Sequence, residues 1–215
     1  MPRYAGSSWR SFRPSDGTRP GAGPAAAATP TDGAAQCRIL GLDPGSLRTG
    51  YGLIDCGPGG ERHVASGCIN VRGEDFVVRL RRIFEAVAAI IAEHRPTEIA
   101  IERVFVHRNV DSALKLGQAR GAAICAAVAA GARAHEYAPR AIKLAVSGFG
   151  AADKLQVARM VTALLGLERR PAADAADALA VALCHAQRRR LDALRAAVPG
   201  ARRTVRVSAR AVVRP

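Results

Sequence analysis

Asp43, Glu102, Asp174 and Asp177 are the residues of this chain whose types and settings could do chemistry. Asp43 closes the apolar run Arg38-Ile39-Leu40-Gly41-Leu42 and is followed by Pro44-Gly45. Glu102 closes a second run, Thr97-Glu98-Ile99-Ala100-Ile101, and Asp174 and Asp177 stand three apart in the alanine-rich stretch from Pro171 to Leu183. Taken singly, each acid has an ordinary reading, and an isolated Asp-Pro-Gly is most simply a turn whose side chain bonds its own backbone. Gathered on one scaffold, four carboxylates would raise one another's pKa values unless a cation intervened. Oxygen donors without His or Cys favour Mg²⁺ or Mn²⁺ over zinc. Such a cluster serves phosphoryl transfer with two ions roughly 3.5 to 4 Å apart, one generating hydroxide from water and the other steadying the leaving oxygen.

The elements around the acids can place them so. A short Ile/Leu run bounded by turn residues fits a buried strand, so a strand over about 37 to 43 delivers Asp43 to the rim of a sheet. Pro44 fixes φ, Gly45 is free in φ, and the chain returns as a second strand over about 48 to 56, with a third over about 61 to 71. In the strand over 97 to 104, Ile99 and Ile101 share one face and Ala100 and Glu102 the other. Residues 75 to 94 read as an amphipathic helix stopped by Pro96, and a helix studded with Gly and Ala spans about 111 to 130. A fifth strand (132 to 137), a short helix from Pro139 to 146 and a helix over 152 to 165 follow, the last stopping at Gly166. The acidic helix is expected over 172 to 188, Arg188-Arg189-Arg190 at its end complementing the helix dipole. Three antiparallel strands followed by β-α-β-α units imply an α/β domain with a five-stranded mixed sheet, its first strand central, flanked by helices.

A chain of 215 residues suits one domain of ordinary size with tails, or at most two small domains. Residues 1–36 contain no Val, Leu or Ile and are expected to be a disordered extension. The folded domain is expected over 37–187, and 188–215 as a basic, flexible tail. Of the net charge of +14, that tail carries nine Arg against one Asp, which suits a polyanion partner as well as a solvated tail. Five scattered cysteines without a Cys-x-x-Cys pair point to reduced thiols and speak against a zinc site. No run is long enough to cross a membrane.

The blocks Gly41-Leu42-Asp43-Pro44-Gly45 with Thr49-Gly50-Tyr51-Gly52, Ala100-Ile101-Glu102-Arg103-Val104-Phe105, Asn109 to Gly121, and Ala173 to Ala180 closely resemble the RuvC family of Holliday-junction resolvases. They cover roughly residues 38 to 186 in the family's order. The resemblance implies an RNase H-like fold, a homodimer, and Mg²⁺-dependent endonuclease cutting of four-way DNA junctions, with two ions per site and Mn²⁺ as a substitute. It further implies a cytoplasmic enzyme working beside the RuvA and RuvB branch-migration complex in recombination and repair. Asp43, Glu102, Asp174 and Asp177 fall on the family's catalytic, metal-binding acids. Arg103 stands where relatives often carry Gln, and Val106-His107-Arg108-Asn109 replaces a stretch usually bearing Lys.

Contacts to DNA are assigned on the same footing. Phe105 is core or a stacking platform for an unpaired base, and the resemblance favours the platform. Arg108, Lys115, Arg120, Lys143 and Lys154 are solvated cations by default. The resemblance brings Lys143 and its helix to the cleavage site and makes it the first candidate for phosphate contact. The turn at Asp43 also resembles the phosphate loop of actin-like sugar kinases, but a second Asp-x-Gly loop and a second lobe are missing. A non-catalytic DNA-binding protein would explain the charge and leave the acids unexplained.

Overall fold

Alternation along the first strand divides the molecule into two cores. The structure, a computed structural model, describes residues 37–103 and 110–197. In β1 (Cys37–Asp43), Cys37 and Ile39 face one apolar cluster while Leu40 and Leu42 face the other, as successive side chains of a strand must. β1 pairs antiparallel with β2 (Arg48–Gly57) and parallel with β4 (Glu98–Glu102). β3 (Gly60–Asn70) extends one edge and β5 (Arg133–Tyr137) the other, giving the order β3-β2-β1-β4-β5. The five-stranded mixed sheet with β1 in the middle is as expected.

Leu40, Leu42, Ile99 and Ile101 pack against α1 (Phe76–His94) and α2 (Val110–Ala129). Ile39 and Ala100 pack against α3 (Pro139–Ser147), α4 (Lys154–Leu164) and α5 (Ala173–Ala197). Helix ends follow local chemistry. Pro139 opens α3, Gly148 in the left-handed region (φ 73°) closes it, and Gly166 (φ 59°) follows α4. A reciprocal pair starts α4: the Gln156 backbone N–H donates to Asp153 Oδ1 at 2.8 Å, and the Asp153 backbone N–H to Gln156 Oε1 at 2.9 Å.

α5 is the exception, running nine residues past its expected end to Ala197. The arginines assigned to its C-terminus lie in its interior, each with an acid partner. Arg188 bonds Asp192 one turn on at 3.0 Å, Arg189 bonds Glu98 of β4 at 3.0 Å, and Arg190 bonds Glu61 of β3 at 2.7 Å. Intrahelical and sheet-directed pairs sustain the helix where dipole reasoning ended it.

α5 lies close on the sheet because the strands beneath it offer glycine. A Cβ at Gly41 would strike the Ala178 carbonyl and the Ala182 backbone, and one at Gly50 would strike the Asp174 carbonyl. The helix answers with Ala175, Ala176, Ala178 and Ala182, all buried. Among the described residues no helix is long and apolar enough to cross a membrane.

Candidate active site

Asp43 and Glu102 meet because β1 and β4 run parallel in a register that pairs Leu42 with Ile101. The next residue on each strand is the acid, and both point to the face that carries α5. The turn after Asp43 is pinned by buried Thr49, whose hydroxyl donates to the Gly45 carbonyl at 3.2 Å and accepts from its N–H at 3.4 Å. α5, seated on Gly41 and Gly50, brings Asp177 over the pair. The three acids line a cavity of about 610 Å³ together with Arg140, Lys143 and Lys154.

The electrostatics are those of acids crowded together and withdrawn from water, with Lys154 and Lys143 offsetting only part of that cost. Burial, then the charges of Glu102 and Asp177 and a hydrogen bond with Glu102, push the Asp43 carboxyl up to about 8, against the opposing pull of Lys154. Burial also raises Glu102, with Asp177 adding to it and Lys154 and Lys143 opposing. Lys154 Nζ donates to Asp177 Oδ2 at 3.0 Å, and that bond holds the ammonium above its ordinary range. Crowded oxygen donors with a carboxyl protonated at neutral pH fit a divalent cation, whose charge would replace the proton. Asp43, Glu102 and Asp177 would hold it.

The fourth acid goes elsewhere. Asp174 Oδ2 accepts from Arg48 at 2.7 Å and from the Cys68 thiol at 3.4 Å, at the start of β2 and the end of β3. It does not line the cavity that holds the other three. One turn before Asp177, it sits at the same end of the sheet on the β2 side.

Of the cations assigned to DNA, Lys143 and Lys154 line the cavity. Lys115 pairs with Asp111 at 2.6 Å on the exposed side of α2. Arg120 braces the site from behind, its Nε donating to the Glu102 carbonyl at 3.2 Å while its other nitrogen bonds Glu136. Phe105 and Arg108 lie outside the described residues. Two residues escaped the sequence reading. Arg140 stands three before Lys143 on α3, and that i, i+3 spacing was its available signal. Arg48 gave none, because its partner lies on the far side of the sequence.

A parallel β1–β4 pair ending in acids, with an acidic helix across it on a five-stranded mixed sheet, defines an RNase H-like nuclease. The yeast mitochondrial Holliday junction resolvase Ydc2 shares this fold at TM-score 0.57 and 13% identity, over 74% of this chain and 84% of that one. The particular family follows from closer likenesses. The profile described as "Crossover junction endodeoxyribonuclease RuvC" matches residues 39–185, and the chain belongs to that family. A protein of that name from Methylococcus capsulatus is 58% identical over 152 residues, 71% of this chain and 92% of its own length. The Thermus thermophilus RuvC structure in complex with Holliday junction substrate matches at TM-score 0.68 and 34% identity, over 73% of this chain and 96% of that one.

Proposed function

We propose that this chain is a divalent-metal-dependent endonuclease that resolves four-way DNA junctions by paired, symmetric nicks. The observation that carries this reading is the half-buried triad of Asp43, Glu102 and Asp177 on one cavity wall, crowded enough to push the Asp43 carboxyl up to about 8. Two Mg²⁺ ions, or Mn²⁺ in their place, would supply Lewis acidity at water and at the scissile phosphate. Arg140, Lys143 and Lys154 on the cavity wall bind the phosphate and offset its growing negative charge. Asp174 joins the ligand set as the resemblance implies only if its carboxylate leaves Arg48. Arg120 acts through Glu102, fixing its backbone, and Lys115 adds charge on α2. Phe105 and Arg108 are proposed as contacts at the crossover.

The working unit proposed is a homodimer in the cytoplasm, acting beside RuvA and RuvB in recombination and repair. Residues 1–36 and the basic residues after Ala197 are proposed to lie outside the nuclease core. Asp43→Asn and Glu102→Gln test the central reading, because each removes a ligand charge without emptying its volume. Each variant is expected to retain junction binding in gel shifts and lose Mg²⁺-dependent cutting of a synthetic four-way junction. Cutting at the wild-type rate by either variant would refute it.

A further inference from the structure

The end of the sheet away from the carboxylates carries a second cluster that the nuclease chemistry does not use. Glu98 opens β4 on the same face as Glu102, four residues or about 13 Å away. His135 of β5 lies beside it, and His185 reaches down from α5. One ligand atom from each of the three lies within 4.8 Å of the other two. His185 is buried, with Nε2 2.5 Å from Glu98 Oε2 and Nδ1 2.6 Å from the Tyr137 hydroxyl. His135 Nε2 lies 3.9 Å from the same Glu98 oxygen, the atom itself shielded from solvent and, among the described residues, without a hydrogen-bond partner. The other Glu98 oxygen bonds Arg189 Nε at 3.0 Å, which leaves Oε2 to the histidines.

A buried His–Glu pair anchored by tyrosine accounts for His185 and Glu98 and leaves the His135 nitrogen orphaned. A metal ion accounts for all three. We propose that Glu98, His135 and His185 form a zinc site that clamps β4 and β5 to α5. Zinc bonds imidazole nitrogen and carboxylate oxygen at about 2.0 to 2.2 Å in tetrahedral geometry, so its donor atoms stand about 3.4 Å apart. The observed separations of 2.5 and 3.9 Å straddle that value. Burial holds His185 below its ordinary range, so the ring offers a lone pair at neutral pH. Burial works to raise Glu98, but its bond from His185 and the Arg189 charge outweigh that and keep it ionised.

In the metal-free site the Tyr137 hydroxyl donates to His185 Nδ1, and Nε2–H donates to Glu98. On zinc binding the ring changes tautomer: the proton leaves Nε2 for Nδ1, the tyrosine oxygen turns from donor to acceptor, and the net proton count is unchanged. Tyr137 and Arg189 then orient their ligands as partners behind a metal shell do. The cluster opens on a cavity of about 500 Å³, which supplies an entry path and room for water in the fourth position. Imidazole donors separate this site from the all-oxygen one, since Mg²⁺ selects against them.

The test uses the full-length chain carrying Asp43→Asn and Glu102→Gln, so that the carboxylate site does not compete. Zn²⁺ is titrated by calorimetry and Co²⁺ by visible absorption, with and without His135→Phe, which keeps an aromatic ring against that of His185, where the two centroids lie 4.4 Å apart, and removes the nitrogen. We expect one equivalent of zinc, a higher Tm, and the intensified Co²⁺ bands of four-coordinate geometry. His135→Phe should lower zinc affinity by about 100-fold or more and abolish those bands, and Tyr137→Phe should lower it about 10-fold. Saturation absent from the parent, or unchanged by His135→Phe, would overturn the site. Neither result touches the nuclease reading, whose carboxylates are disabled throughout.

Discussion

Asp43 is where function costs the fold most visibly. Its carboxyl titrates near 8 in the folded chain, against about 3.9 for an unperturbed Asp. Between those values the folded state holds a proton that the unfolded state has lost. Unfolding then releases a proton, so stability falls as pH rises through that window. Asp43→Asn has no such proton to lose. In chelator its Tm is expected to exceed that of the wild type by a margin that widens from about pH 5 to pH 8 and then levels off. Mg²⁺ should raise the wild-type Tm more than that of the variant. Melts across pH, with and without Mg²⁺, check both statements, and a margin that narrows with rising pH would contradict the crowding of Asp43 by Glu102 and Asp177.

At the scale of elements, α5 carries Asp177 and therefore decides whether the site exists. Gly41→Val sets side-chain atoms against the Ala178 carbonyl and the Ala182 backbone, so the helix must rise from the sheet. A displacement of about 1 Å can cost about 100-fold in rate, and cutting is expected to fall at least that far, together with Tm. Asp153→Ala is the milder control. It removes one side of the cap of α4 and should cost about 1 kcal/mol, slowing cutting modestly through Lys154, the first residue of that helix. Chemical denaturation and single-turnover cutting separate the two cases. These elements also show what the sequence could disclose. The strands and α1 to α4 were legible because periodicity, proline and cap residues act within a few positions. The strand-end acids Asp43 and Glu102 were legible for the same reason. The length of α5 rests partly on the local pair Arg188–Asp192 and partly on the sheet partners of Arg189 and Arg190, whereas the turning of Asp174 to Arg48 and the trio Glu98, His135 and His185 depend on partners dozens of positions distant, which no local pattern encodes.

For the whole molecule the open question is how one site per chain makes two nicks. Matched cuts on two strands of like polarity require two copies related by a twofold axis, each presenting the same surface to the other. α2 offers such a surface. Val110 and Leu114 are 73% and 62% exposed, a Cβ at Gly117 or Gly121 would meet nothing within 4 Å among the described residues, and exposed Cys125 and Val128 continue the line. Spacings of three and four set these positions on one helical stripe, small in the middle and apolar at both ends, as close helix pairing requires. The opposite face of α2, with Ala119, Ala123 and Ala126, is already buried against the sheet and α1, so the stripe is left for a partner. We expect a dimer in sedimentation at micromolar concentration. Leu114→Glu should shift it to monomer while leaving Tm nearly unchanged, because the side chain contributes little to the core of a single copy. That monomer should nick junctions singly and lose the simultaneous cutting of paired strands, as read on a cruciform plasmid that is linearised only when both nicks fall in one encounter. A Leu114→Glu protein that stays dimeric would move the interface to another face, and a monomer that still linearises the plasmid in one step would refute the twofold arrangement.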